Sequence, residues 1–109
     1  MPTDKSYLAY VLDQLSGVEG VAARPMMGEY LLYCGGRLFG GVYDDRLLLK
    51  PTDSVRRLAE ENSGEARMEL PYPGAKPMLA ADLDDPALCC RMIEAAAADL
   101  PAPKRNPRK

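Results

Sequence analysis

The chain has 109 residues, 14 basic and 16 acidic side chains and no histidine, for a formal net charge of −2. That is one small domain: 47% hydrophobic residues can fill a single core, while the longest apolar runs, such as Leu47 to Leu49, fall far short of the ~18 residues that cross a bilayer. The missing histidine excludes every His-dependent triad, base or metal cluster, and three cysteines in no framework spacing read as reduced thiols; with no secretory signal in view, the expectation is a cytoplasmic protein without metal or cofactor.

From about Asp4 to Ser16, Leu8, Val11, Leu12 and Leu15 recur at the i, i+3, i+4, i+7 spacing of one helical face, with Thr3 as the expected N-cap and Gly17 as the stop. Tyr10, Asp13 and Gln14 lie away from that stripe. The helix therefore rests on a neighbour and keeps one face in water.

From Val21 to Lys50 the apolar period changes to two, punctuated at Gly28, Gly35-Gly36 and Asp44-Asp45. This predicts a meander of three or four antiparallel strands. Gly35-Gly36 suits a two-residue turn in which both central residues need positive φ, and Asp44-Asp45 is a candidate for the same geometry. Counting outward from these turns opposes Cys34 with Arg37, Leu32 with Phe39 and Val42 with Leu47. One face then collects Leu31, Tyr33, Leu38, Gly40, Val42, Leu47 and Leu49, the expected seat of the helices. The other collects Tyr30, Leu32, Cys34, Arg37, Phe39, Gly41, Tyr43, Arg46, Leu48 and Lys50, mixing aromatic, aliphatic and cationic groups. A slip of one residue would exchange the two faces.

Thr52 or Asp53 caps a short helix carrying Val55, Leu58 and Ala59 and ending at Asn62-Ser63-Gly64. Between Arg67 and Leu83, Pro71, Pro73, Gly74 and Pro77 leave room only for short extended pieces, near Arg67 to Leu70 and Lys76 to Ala81, expected at a sheet edge because proline cannot donate to a central ladder. The last helix has Asp85 as N-cap, Pro86 in its first turn, and Cys89, Met92, Ile93, Ala96 and Leu100 on one face. Beyond it, Lys104, Arg105, Arg108 and Lys109 stand among Pro101, Pro103 and Pro107 with no acid, so residues 101–109 are expected to be a disordered basic tail. The domain proper, residues 1–100, holds 10 basic and 16 acidic side chains, a balance of −6.

Several groups of residues are candidates for chemistry. Arg24 to Gly28 reads either as a recognition loop, with the donor fork of Arg24 and the adaptable Met26 and Met27, or as a strand end whose methionines pack inward. Tyr30, Tyr43, Arg37, Arg46 and Lys50 on the mixed face have the composition of a solvated sheet, of a protein interface, or of a platform for single-stranded nucleic acid. The acidic body repels phosphate and puts nucleic acid last of the three. Joint exposure of Tyr30, Leu32, Phe39 and Leu48 would give an apolar patch for a partner or a second copy. Cys89 and Cys90 point about 100° apart on a helix and read as small buried residues. Gly40-Gly41 marks a bulge or a close approach, and the acidic clusters have turn and capping roles without calcium-loop spacing.

The run Arg24-Pro25-Met26-Met27-Gly28-Glu29-Tyr30, then Tyr33, Gly36, Gly41 and Asp44-Asp45-Arg46-Leu47-Leu48-Leu49-Lys50, together resembles the N-terminal domain of the TfoX/Sxy family. Tyr7-Leu8, Gln14-Leu15-Ser16, the stretch from Leu70 to Lys76 and the alanine-rich last helix extend the likeness over nearly the whole body. The resemblance implies a two-layer α+β domain of secretion-chaperone-like type, with four to six antiparallel strands and helices on one face. It implies no catalytic residues. Longer relatives add a helical domain and act in competence as co-regulators working with the cyclic-AMP receptor protein; this chain resembles the first domain standing alone. The resulting expectation is a bacterial, non-catalytic regulatory module that binds a protein, such as a transcription factor or its own second copy, through Arg24, Met26, Met27, Tyr30, Arg37, Tyr43, Arg46 and Lys50. The alternatives are a weak nucleic-acid binder using Lys104, Arg105, Arg108 and Lys109 with the Tyr/Arg sheet face, and an enzyme without His-dependent chemistry.

Overall fold

In the computed structural model, which describes residues 4–100, three two-residue turns join β1 (Val21–Met26), β2 (Glu29–Cys34), β3 (Arg37–Val42) and β4 (Leu47–Leu49). The central residues all have positive φ: 52° and 87° at Met27-Gly28, 58° and 82° at Gly35-Gly36, 51° and 57° at Asp44-Asp45. These are the primed turns whose twist matches that of the strands they connect. β5 (Met68–Glu69) and β6 (Met78–Ala80) complete a six-stranded antiparallel sheet in the order β1-β2-β3-β4-β6-β5. Only β5 takes the edge expected for this proline-rich region; β6 lies inside, because Pro71, Pro73 and Pro77 all fall outside the two strands and none has to donate to the ladder.

Three helices, α1 (Lys5–Gln14), α2 (Asp53–Ser63) and α3 (Pro86–Asp99), pack on one face of the sheet. Local chemistry starts and stops each one. Asp4, rather than Thr3, which lies outside the described residues, caps α1 through Ser6 N. Thr52 and Asp85 accept from Val55 N and Leu88 N at the starts of α2 and α3, and Gly64 closes α2 in the left-handed region at φ 83°. Val11 and Leu15 of the first helical segment, Val55 of α2 and Ile93 of α3 meet Leu32, Phe39, Val42 and Leu49 of the sheet in a common core.

The two faces of the sheet are partly exchanged relative to the unbroken count. Leu32 and Phe39 are fully buried in the core, with Tyr30 and Cys34 packed against it, so these four residues lie under the helices. Leu31, Tyr33 and Leu38, expected there, occupy the other face. The cause is a bulge. Cys34 opposes Arg37 and Tyr33 opposes Leu38 as counted, but Leu32 then opposes Gly40 and Tyr30 opposes Val42, which leaves Phe39 as the extra residue. One inserted position moves Val42, Leu47 and Leu49 onto the same side as Leu32 instead of Leu31.

Asp99 ties the end of α3 to the first turn of α2, its carboxylate accepting from Ser54 N at 2.9 Å and Ser54 Oγ at 3.0 Å. These bonds, the Ser54 backbone first and the Thr52 and Ser54 hydroxyls after it, hold the Asp99 carboxyl below its ordinary value. A folded pKa below the unfolded one adds stability that is complete above the unfolded pKa and lost as pH falls through the folded value. Asp99→Asn is therefore expected to lower the melting temperature at neutral pH and to weaken its fall in acid. Parallel acid limbs for the two proteins in thermal melts would remove the tie from the account.

Candidate functional site

The face of the sheet without helices has two parts. At the β1–β2 end, Arg24 opposes Leu31 and places its guanidinium 5.9 Å from the ring centroid of Tyr33, a cation–π contact. Leu31, Tyr33 and Leu38 are half-buried and belong neither to the core nor to the layer packed on it. Met26 continues this surface, and Met27 stands at the hairpin tip, 97% exposed. A large side chain at φ 52° lies where glycine is favoured. Met27→Gly is expected to stabilise the domain by about 0.5–1 kcal/mol, read as a rise in denaturation midpoint; a fall would show that the methionine packs on something.

At the other end, residues 70–77 form a strap over the same face. Arg46 holds it: Nη1 meets Glu69 Oε1 at 2.8 Å, Nη2 donates to Pro71 O at 3.4 Å, and Nε donates to Tyr43 O at 3.2 Å. Arg67 Nε also lies 3.5 Å from Glu69. Tyr43 is only 6% exposed, and its ring lies over Gly41, where a Cβ would come within 2.6 Å of it. Tyr72 of the strap tilts against Tyr43 with centroids 6.2 Å apart. Burial first, then the neighbouring Tyr72, pushes the Tyr43 hydroxyl above its ordinary pKa, so it remains a protonated donor.

Between strap and sheet runs a groove of about 510 Å³, with Leu38 and Gly40 on the sheet side, Tyr43, Tyr72 and Met78 along it, and Lys50 and Lys76 as its charged lining residues. The Lys50 backbone is fixed by its N–H donating to Phe39 O at 2.8 Å, so the bulge that turns Phe39 inward also places the start of this rim.

Of the residues expected at a contact surface, the structure brings Arg24, Met26, Tyr43 and Lys50 to the helix-free face, with Met27 at its hairpin tip. Tyr30 and Arg37 are corrected to the helix-bearing face. Arg37 Nη1 donates to Ala97 O at 2.9 Å near the C-terminal end of α3, where a cation suits the helix dipole. Arg46 is engaged by the strap. The apolar patch of Tyr30, Leu32, Phe39 and Leu48 does not form, since the last three are each fully buried. Lys104, Arg105, Arg108 and Lys109 lie outside the described residues. Leu31, Tyr33, Leu38, Tyr72 and Lys76 were missed as site residues. The usable signal was the proline-rich stretch, which could not pair as strand and had to lie across something.

Cys89 is buried among apolar groups and its thiol is pushed up to about 12 by that burial, away from the thiolate that nucleophilic chemistry needs. Among the described residues no helix is long and apolar enough to cross a membrane, and no three Cys, Asp or Glu side chains gather as metal ligands. A 12.7 kDa uncharacterised protein of Spirochaeta aurantia, described by its place in the trpE 5′ region, is 40% identical over 111 residues, covering 100% of this chain and 91% of the relative. Residues 13–100, which run from the last two residues of α1 to just past the end of α3, match the TfoX N-terminal domain. The chain belongs to the TfoX N-terminal domain family.

Proposed function

We propose that this protein is a cytoplasmic, non-catalytic regulatory module that binds another protein through the helix-free face of its sheet. The observation that supports this reading is the Arg24–Tyr33 cation–π pair set beside half-buried Leu31 and Met26, a mixture of arginine, aromatic and methionine side chains of the kind that protein interfaces concentrate. The partner in this reading is a transcription factor such as the cyclic-AMP receptor protein, with which the longer relatives that the resemblance points to act in competence. A nucleic-acid partner is less well supported. It would need Arg37 and Arg46 on one positive surface, whereas Arg37 is bonded to α3 on the opposite face and Arg46 to Glu69.

Affinity capture from the native host tests the proposal, comparing the wild type with Arg24→Glu/Tyr33→Ala. The double variant is expected to lose the captured transcription factor, while Glu61→Gln at an exposed position of α2 retains it. Identical captured proteins for all three baits would overturn the assignment of this face, and capture of the chain's own copy alone would replace the heterologous partner by a homodimer.

A further inference from the structure

The groove beneath the strap differs in chemistry from the Arg24–Tyr33 surface, and it does not depend on the protein-binding reading. We propose that it binds a small anion carrying a flat apolar ring, an aromatic carboxylate or phosphate ester. Its volume of about 510 Å³ lies within the range that holds one small molecule. Two aromatic rings line it at a mutual tilt of 53°, so a flat ring lying on one meets the other obliquely, an arrangement aromatic pairs favour. Leu38, Met78 and Pro77 supply further apolar contact.

The charges specify the other half of the ligand. Among the described residues, Lys50 and Lys76 are the only ionisable lining residues besides the tyrosines, and no carboxylate lines the groove, although residues 1–100 carry 10 basic against 16 acidic side chains. Neither lysine has an ion-pair partner among the described residues. Two lysines lining an apolar slot, in an otherwise acidic body, form a local site for a negative head group. Arg46 anchors the strap at Glu69 and Pro71, so the slot is held in shape before a ligand enters.

Titration of the full chain followed by amide NMR tests this, with benzoate and phenyl phosphate as ring-bearing anions, benzyl alcohol as the ring without charge and inorganic phosphate as the charge without ring. At least one ring-bearing anion is expected to shift the Leu38, Lys50, Tyr72 and Met78 signals and to bind at least about tenfold more tightly than either half-probe, a difference of about 1.4 kcal/mol; the stronger of the two names the head group. Lys50→Gln/Lys76→Gln, which alters half-exposed and exposed side chains, is expected to keep the fold and erase that preference. Arg24→Glu/Tyr33→Ala is expected to leave it intact, which separates this site from the protein-binding face. Equal binding of benzoate, phenyl phosphate and benzyl alcohol, or no movement of groove signals at millimolar probe, would overturn the proposal.

Discussion

Gly40→Ala is expected to destabilise the domain by about 3–5 kcal/mol, a large part of the roughly 5–15 kcal/mol that holds a small domain folded. A Cβ at this position would lie 2.2 Å from Leu48 O, 2.9 Å from Leu49 Cα and 3.2 Å from the Leu48 carbonyl carbon. All three atoms are backbone of β4, so no rotamer change relieves the overlap. The ladder itself has to open at the Gly40–Leu49 pair, and β6 is bonded to the far side of β4. Gly35→Ala makes the matched comparison. Gly35 sits at φ 58° with nothing within 4 Å of its added Cβ, so the cost is conformational alone, about 1–2 kcal/mol. Urea denaturation of both variants checks the ordering, and a Gly40→Ala loss no larger than that of Gly35→Ala would show that β4 yields freely.

Phe39→Ala is expected to cost about 3–5 kcal/mol, because the ring is fully buried and its removal leaves a cavity among helices and sheet. Phe39→Leu, which keeps most of the volume, is expected to cost about 1–2 kcal/mol. The experiment also reads the register. On the unbroken count Phe39 would stand on the face away from the helices, and its truncation would act as a surface change of about 0.5 kcal/mol or less. A small loss in the denaturation midpoint would therefore refute the bulge itself.

Much of this fold was legible in the sequence. Gly35-Gly36, Asp44-Asp45 and the caps at Thr52 and Asp85 act within a few residues of themselves, so their chemistry is written locally. Pro86 and the apolar stripe of Cys89, Met92, Ile93 and Ala96 defined α3 in the same way. The bulge was not legible in full. Gly40-Gly41 announced an irregularity, but whether it consumed a residue of β3 depends on how Leu48, Leu49 and the Tyr43 ring press against those glycines from other parts of the chain. The candidate site followed that single displacement: Tyr33 and Leu38 replaced Tyr30 and Arg37 on the free face. The groove was hidden for a related reason, because proline content shows where residues 70–77 cannot pair and does not show what they cover.

The strand order carries a kinetic consequence. β1 through β4 are neighbours both in the chain and in space, each pair closed by a two-residue turn, so this half of the sheet zips together with little loop entropy to overcome. β6 must instead find β4 across the whole of α2 and the strap, and β5 is held in the ladder by β6 alone. Amide exchange should therefore show the β5–β6 edge opening before the meander does.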